Sequence, residues 1–363
     1  MQGTPNASLS RGLDARRLNP WIRRLALAGV LLCFGVVVLG AYVRLTAAGL
    51  GCPDWPGCYG HVTPLGAKES AAAQAAFPTR PLDVGKAWRE MIHRYAASTL
   101  GLIIVAIAVV AIANRRTAPI RVRYALALLL LVIFQGLLGM LTVTWRLKPL
   151  IVTGHLVFGL TTLGLLWWLW LSLAEPGTRL DVGHNAHRGL RAANARKAWR
   201  LAIIGLIALA LQIALGGWTS SNYAAIACPD FPTCQNTWWP HADFRNAFVL
   251  WRGLAINFEG GVLNQPARVA IHLTHRLGAV IATLTLCLAA GATLLRAARG
   301  ATRLAAIAVL AALALQLTIG ISMIVKGFPL WLATVHTAGA ALLLLSVLSL
   351  LRTLAGAAAA RAF

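Results

Sequence analysis

Eight long apolar stretches dominate the pattern of hydrophobic and polar positions along the chain. Each is about 20 residues long or longer and holds few charged side chains, which is what a helix needs to cross about 30 Å of hydrocarbon. The pattern therefore predicts an all-α integral membrane protein with eight transmembrane helices. The predicted helices cover residues 25–44, 91–113, 124–144, 151–173, 200–219, 270–295, 303–325 and 330–352.

The composition argues against a soluble globular protein. Of the 363 residues, 58% are hydrophobic and 12% are charged, whereas about 25% are charged in an average soluble domain. The formal net charge is +23, but in so apolar a chain the cations report membrane topology first. We therefore expect no nucleic-acid partner, and we expect attraction to anionic membrane lipid as a secondary consequence.

The positions of Lys and Arg predict the orientation in the membrane. Most of them lie in the N-terminal segment, in the second, fourth and sixth loops, and near the C-terminus. Cytoplasmic loops retain positive charge, so both termini are predicted to be cytoplasmic. The long loops 45–90 and 220–269 then lie on the outer side, and their content of Pro, Gly, Trp and Cys indicates folded caps.

The two halves of the chain repeat each other. LGAYVRLTAAGLGCPDWPGC at 39–58 matches LGGWTSSNYAAIACPDFPTC at 215–234, and Gln135 and Gly139 recur as Gln316 and Gly320. Four spans per repeat give both halves the same orientation, so we predict two tandem four-helix bundles related by a pseudo-two-fold axis along the membrane normal. The predicted domains are a cytoplasmic segment at 1–24, an N-terminal half at 25–174, a cytoplasmic connector at 175–199, a C-terminal half at 200–352 and a cytoplasmic tail at 353–363.

Histidines occupy matching places in the two repeats, two to six residues after the start of every even-numbered predicted helix. They therefore share one depth near the outer face. Two imidazoles from facing helices suit a haem iron, which takes ligands on opposite faces of a flat ring. Packing histidines, a proton relay and zinc are the alternatives, although zinc usually takes three or four ligands. The predicted pairs are His93 with His155 and His275 with His336.

An arginine follows one histidine of each pair. Arg94 follows His93, and Arg276 follows His275. A guanidinium group binds carboxylates well, so both arginines are candidates for holding haem propionates. Anchoring at the membrane interface is the alternative role.

Glu90 is the acidic residue at the mouth of a predicted span. It lies three residues before His93 and therefore on the same helix face, where it could accept or shuttle a proton. A carboxylate simply exposed at the interface is the alternative. His272 stands at the matching position of the second half. The asymmetry assigns catalysis to the half with Glu90 and a resident redox haem to the other half, while the role of His272 stays open.

The outer loops contain two C-x5-C pairs. The first is Cys52 and Cys58, and the second is Cys228 and Cys234. An oxidising compartment and short loops constrained by proline favour disulfide bonds. Each pair could be a structural staple or could take part in thiol redox chemistry.

Taken together, these motifs carry a family resemblance. GLGCPDWPGCYG follows the first predicted helix, EMIHR opens the second, and TGHLVFG, THRLGA and TVHTAG lie in the fourth, sixth and eighth. The combination resembles haem A synthase, the membrane enzyme that makes a cofactor of cytochrome oxidase, and the resemblance runs through all eight spans.

The resemblance implies an activity and assigns roles to residues. Enzymes of this family oxidise the C8 methyl group of haem o to the formyl group of haem a through hydroxylated intermediates. By resemblance, His93 and His155 bind the substrate haem, His275 and His336 bind haem b, and Glu90 is the functional carboxylate.

The resemblance also implies partners and a location. Cys52 and Cys58 match the family's outer-loop pair, while a second pair is not present in every member. The expected partners are a haem o synthase, further copies of the chain and an unidentified electron acceptor, in a bacterial cytoplasmic membrane with the haem sites near the outer face. The competing class is a di-haem b-type electron carrier, which would place one haem toward each membrane face.

Overall fold

The structure is a computed structural model that describes residues 6–116, 120–173, 188–296 and 300–359. These residues form eight long helices and three short ones, numbered in chain order. The long helices are α1 (Asn6–Leu45), α4 (Val84–Ala113), α5 (Val122–Thr144), α6 (Pro149–Ser172), α7 (Arg188–Ser221), α9 (Gln265–Arg296), α10 (Ala301–Val325) and α11 (Leu330–Ala359). The short helices α2 (Pro64–Glu69), α3 (Ala71–Ala75) and α8 (Phe244–Ala247) lie in the two long loops.

Every long helix contains a segment that is long and apolar enough to cross a membrane. These segments are Pro20–Leu45, Val84–Ala113, Val122–Thr144, Pro149–Ser172, Ala195–Ser221, Gln265–Leu295, Ala301–Val325 and Leu330–Ala355. The prediction of an all-α protein with eight spanning helices is confirmed.

Several predicted boundaries are wrong. The second helix begins at Val84 and not at 91, and the sixth begins at Gln265 and not at 270. Their first turns carry polar side chains that an apolar window leaves out; Asp83, for example, accepts a hydrogen bond from the backbone N–H of Lys86 and caps α4. The loops predicted at 45–90 and 220–269 are correspondingly shorter.

The segments predicted to be cytoplasmic are largely helical where the structure describes them. Helix α1 already begins at Asn6 within segment 1–24, and α7 begins at Arg188 within connector 175–199. Helix α11 continues through residue 359 of the tail predicted at 353–363. Residues 1–5, 175–187 and 360–363 of these three segments lie outside the described residues.

The long helices pack as two rings of four. In the first ring α1 contacts α4, α4 contacts α5, α5 contacts α6, and α6 returns to α1. Helices α7, α9, α10 and α11 form the second ring in the same order. The rings meet where α1 contacts α11, α6 contacts α7, and α6 contacts α11. Exchanging the two repeats leaves this set of contacts unchanged, as the predicted pseudo-two-fold relation requires.

Two hydrogen bonds join aligned positions of the repeats across this boundary. Arg44 Nη2 donates to the Ser220 carbonyl at 2.8 Å, and these residues correspond in the two matched segments. Trp167 Nε1 donates to Ser349 Oγ at 2.9 Å, one position beyond its counterpart Leu348. Equivalent residues meet in this way around a two-fold axis. The contacts favour the symmetry, which itself stays a prediction.

One apolar core runs through both rings. Ile104, Leu163 and Leu166 of the first ring and Leu286 and Leu350 of the second are fully buried in the same cluster. The predicted division into halves therefore describes the repeat in the sequence. It does not mark two separately packed cores, because the packing is continuous across the boundary between the halves.

The long loop before α9 contacts the first ring. The backbone N–H of Phe258 donates to the Arg146 carbonyl at 3.1 Å, and Lys148 Nζ donates to the Gly253 carbonyl. The ring of Trp251 packs edge-on against Trp145 at 5.6 Å between centroids. This loop is thus a folded cap, as its composition indicated, and it fastens one half to the other.

Candidate functional site

A glycine faces each of the four predicted histidine ligands. The glycines are Gly40 of α1, Gly139 of α5, Gly216 of α7 and Gly320 of α10. Each lies five residues before the last residue of its helix. A Cβ atom at Gly40 would lie 2.9 Å from Cε1 of His93, and one at Gly320 would lie 3.0 Å from Cε1 of His336. At Gly216 and Gly139 the corresponding distances are 3.3 Å to His275 and 3.5 Å to His155. The glycines therefore leave space for the imidazole rings.

In each pair, one histidine lies deeper in its helix than the sequence predicted. His155 and His336 are six residues after the first residue of α6 and α11, but His93 is nine residues into α4 and His275 ten into α9. The prediction of two to six residues is wrong for those two because α4 and α9 begin early. The facing glycines nevertheless keep a constant distance from their own helix ends, which places the four rings at a common level.

In the C-terminal half, two glutamines contact the histidine rings. Gln212 Nε2 is 3.1 Å from Nδ1 of His275 and also donates to the His275 carbonyl at 3.0 Å. Gln316 Nε2 is 3.3 Å from Nε2 of His336. Each glutamine lies four residues before the facing glycine, on the same helix face.

In the N-terminal half, a glutamine contacts only one histidine of the pair, through its backbone. Gln135 Nε2 donates to the His155 carbonyl at 3.0 Å, but the matching position opposite His93 holds Val36. Sequence reasoning noticed the recurrence of Gln135 as Gln316 without assigning either a role, and it missed Gln212. The signal that could have found all three is the repeated Q-x3-G spacing.

The nitrogen atoms of these pockets fit axial ligands of a haem iron. Nδ1 of His93, His155 and His336 is buried and has no hydrogen-bond partner within the described part of the chain. Among the described residues there is no group of three or more His, Cys, Asp or Glu side chains that could hold a metal ion. Such groups are what zinc requires, so the described pockets favour paired histidines at a flat macrocycle.

Glu90 is buried in the second turn of α4, with 4% of its surface exposed. Its Oε2 accepts from the Cys52 backbone N–H at 2.9 Å, and its Oε1 accepts from Arg94 Nη2 at 2.5 Å. The exposed interfacial alternative is therefore wrong. The carboxylate connects the first cysteine loop to the helix turn that precedes His93.

Both candidate propionate arginines reach into the cysteine loops. Arg94 Nη1 donates to the Gly57 carbonyl at 2.6 Å and to the Asp54 carbonyl at 3.1 Å. Arg276 donates to the Asp230 carbonyl at 2.7 Å and, through Nη1, to Thr233 at 2.8 Å. The Nη donors of both arginines bond to loop carbonyls, while Nε of Arg276 is buried without a hydrogen-bond partner among the described residues. Propionate binding by Arg94 and Arg276 stays a prediction.

The cysteine loops have the same internal design. The structure joins Cys52 to Cys58 and Cys228 to Cys234 by disulfide bonds. Inside the first loop, the Asp54 carboxylate accepts from the backbone N–H groups of the two residues after Cys58, at 2.6 and 2.7 Å.

Asp230 plays the same part in the second loop. Its carboxylate accepts from the Thr233 hydroxyl at 2.5 Å and from the backbone N–H groups of Gln235 and Asn236. These hydrogen bonds, that of Thr233 first, lower the pKa of Asp230 below its ordinary value. The aspartate of each CPD motif therefore holds its loop together.

The halves differ at the position of Glu90. His272 stands there in the second half and is buried, with 4% of its surface exposed. Arg276 accordingly has no carboxylate partner at this position, and its Nη2 lies 3.4 Å from the Cys228 carbonyl. Among the described residues, the matched positions therefore hold a buried acid in the first half and a buried histidine in the second, and the role of His272 stays open.

Arg94→Gln is expected to loosen the first cysteine loop. The substitution removes the guanidinium bonds to the loop carbonyls, so the Cys52–Cys58 disulfide should be reduced faster under mild thiol, by about tenfold or more. Alkylation of the released thiols, followed by mass detection, measures this rate. Arg89→Gln is the matched control, because Arg89 bonds only within its own helix, to the Gly85 carbonyl. An unchanged rate of reduction combined with lost haem would contradict the loop role and favour propionate binding.

Fold and site together define a class: a multi-pass membrane protein whose paired intramembrane histidines form two pockets of like design, one of them with a buried carboxylate. Residues 23–348 match the cytochrome oxidase assembly protein family, COX15-CtaA. The chain belongs to this family.

Individual relatives agree with this assignment. The heme A synthase of Shewanella oneidensis is 40% identical over 333 residues, which cover 91% of this chain and 94% of that protein. The heme A synthase of Caulobacter vibrioides is 28% identical over 86% of this chain and 89% of its own length. That of Paracoccus denitrificans is 28% identical over 86% of this chain and 82% of its own.

Proposed function

We propose that this chain acts as a haem A synthase, oxidising the C8 methyl group of haem o to a formyl group through hydroxylated intermediates. The family and the similarity to heme A synthases support the reaction. The observation in the structure that carries the proposal is Glu90, the one buried carboxylate among the residues whose burial the structure describes, which lies one helix turn before His93. An electron carrier has no need of such a carboxylate in one of its halves.

His275 and His336 are the residues that would hold haem b. Gly216 and Gly320 leave room for their rings, and Gln212 and Gln316 contact ring nitrogens. These contacts orient the two rings, and the amide must release any ring nitrogen that binds the iron. Haem b supplies one-electron transfer when it is bound.

His93 and His155 would bind haem o as the substrate. The two rings are held differently: the carbonyl of His155 is fixed by Gln135, whereas His93 faces Gly40 next to Val36. Gln135 donates to the backbone of its histidine, whereas Gln212 and Gln316 contact ring nitrogens in the other half, and this difference suits a pocket that must accept a substrate and release a product. The N-terminal half is therefore the substrate half of the proposal.

Glu90 would accept protons from the reacting carbon. Converting a methyl to a formyl group takes up one oxygen atom, as from water, and releases four protons and four electrons, the electrons going to the electron acceptor. The site therefore needs a base near the substrate. Arg94 and the Cys52 N–H hold the carboxylate in place one helix turn from His93. We assign the Cys52–Cys58 pair a structural part in this arrangement, since the loop that it closes presents the Cys52 N–H to Glu90.

The orientation and partners belong to the same proposal. Both termini would be cytoplasmic, in a bacterial cytoplasmic membrane, with the histidine pockets near the outer face. A haem o synthase would deliver the substrate, other copies of the chain could associate with it, and an acceptor of unidentified chemistry would remove electrons.

The proposal is tested by a matched pair of glycine variants on α1. Cells that supply haem o are expected to yield hydroxylated and formyl haem on the wild-type chain and on Gly35→Val, because a Cβ at Gly35 meets nothing within 4 Å. Gly40→Val should lose substrate uptake and product, by about tenfold or more, because its Cβ overlaps the His93 ring. Haem b should remain in both variants. Absence of product from the wild-type chain would contradict the function, and full product from Gly40→Val would contradict the pocket.

A further inference from the structure

Arg44 connects the two halves, one helix turn beyond a glycine that faces a histidine in each half. It follows Gly40 by four residues on α1, and Gly40 faces His93. Its hydrogen-bond acceptor, the Ser220 carbonyl, is likewise four residues beyond Gly216, which faces His275. Residues four apart on a helix share a face, so the Arg44 side chain leaves α1 on the face that carries Gly40, and its guanidinium group contacts α7 one turn beyond Gly216.

The contacts of Arg44 leave part of its hydrogen-bonding capacity free. Nη2 donates to Ser220, and the guanidinium carbon is 4.1 Å from the ring centroid of Tyr223. Arg44 Nε and Tyr223 Oη are both buried and have no hydrogen bond of good geometry to a residue that the structure describes. The two side chains lie within reach of each other, and the Glu259 carboxylate also acts on Arg44 electrostatically. Glu259, an acidic residue of the neighbouring outer loop, pairs instead with Arg80 at 3.8 Å.

A buried cation of this kind calls for an anion. Burying a charge is costly unless it is paired, and unsatisfied buried donors add to the cost. A carboxylate placed at Arg44 Nε and Tyr223 Oη would neutralise the cation and use both free groups. The guanidinium fork is well shaped for that partner.

We propose that Arg44 and Tyr223 form a carboxylate subsite that binds a haem propionate at the boundary between the two pockets. The proposal rests on the proposed function, because it requires a haem in a neighbouring pocket. It gives Arg44 the role that the sequence assigned to Arg94 and Arg276, whose Nη groups bond to loop carbonyls. Either haem carries the same carboxylates, so the chemistry is shared and the experiment distinguishes the source.

The test compares haem with its propionate dimethyl ester. Chain produced without haem is loaded in detergent with haem b or with haem b dimethyl ester, and binding is followed by absorbance. The wild-type chain should prefer the free acid by about tenfold or more, and Arg44→Gln should lose that preference. Tyr223→Phe should lose part of it. Arg252→Gln is the matched control, since Arg252 is an outer-loop arginine that bonds to the Asn246 carbonyl, and it should keep the full preference.

A second arm identifies which haem supplies the carboxylate. Repeating the comparison with haem o and its dimethyl ester on chain already loaded with haem b reports the N-terminal pocket. A preference that depends on Arg44 in the haem b arm assigns the propionate to the C-terminal pocket, and one in the haem o arm assigns it to the N-terminal pocket.

The result that overturns the subsite is a free-acid preference that survives Arg44→Gln in both arms. Failure of the wild-type chain to bind any haem would instead contradict the proposed function, so the two failures are distinct. If Arg44→Gln does not fold, Arg44→Lys decides the question: it keeps the charge but loses the fork, so it should retain a reduced preference. A preference fully retained in Arg44→Lys and in Tyr223→Phe would overturn the subsite.

Discussion

Glu90→Gln is expected to stop turnover while sparing both haems. Loss of a positioned base costs about 10²-fold to 10⁴-fold in rate, so conversion of haem o should fall by at least about 10²-fold. A glutamine keeps one of the two oxygens that accept from Arg94 and from the Cys52 N–H, and Arg94 keeps its bonds to the loop carbonyls of Asp54 and Gly57. The loop and the His93 pocket should therefore survive. Haem content and product yield, measured on the same purified sample, check both parts of the prediction.

Two companion variants separate catalysis from structure. Glu259→Gln removes an outer-loop carboxylate that pairs with Arg80 at 3.8 Å, and it should leave turnover intact. Glu90→Ala leaves Arg94 without its carboxylate partner and should also disturb the loop, because an unpaired buried charge is costly. Loss of both haems in Glu90→Gln would contradict the catalytic role and make Glu90 a structural residue.

His275→Ala is expected to remove haem b, whereas His93→Ala should leave it in place. Each haem in this account depends on two imidazoles, and His275 and His336 face their own glycines away from the His93 pocket. Haem b per chain should fall from about one to near zero in His275→Ala, because an iron ligand is lost. Activity should be lost in both variants. Extracted haem b per mole of protein measures the difference.

His241→Ala is the control for this pair, because His241 lies in the outer loop before α8. It should retain haem b and activity. Loss of haem b from His93→Ala to the same extent as from His275→Ala would contradict the division into a substrate half and a resident haem half.

The fold was largely predictable because hydrocarbon imposes a length. A helix that crosses the membrane needs about 20 apolar residues, and that rule finds all eight helices. It fails at helix starts such as Val84 and Gln265, since the first turns of α4 and α9 carry polar side chains. There the helix is stabilised by capping and by the loop above it, which hydropathy does not register.

The candidate site was predictable where a side chain has its own chemistry. His93, His155 and Glu90 were found from residue type and helical spacing, and the structure buries Glu90 between a loop N–H and Arg94. The hydrogen-bond partners of Arg94 were not predictable, because they are backbone carbonyls, which every residue has. Gly40 was missed for a similar reason: its role is the space it leaves for a ring.

The most direct test of the central claim is the identity of the haems on the wild-type chain. Haem is extracted from protein purified from cells with and without a supply of haem o, and it is separated by chromatography with mass detection. The account predicts haem b alone without the supply, and haem b together with hydroxylated or formyl haem when haem o is present. Haem b alone under both conditions would contradict the synthase and favour an electron carrier, and absence of any haem would contradict the histidine pockets themselves.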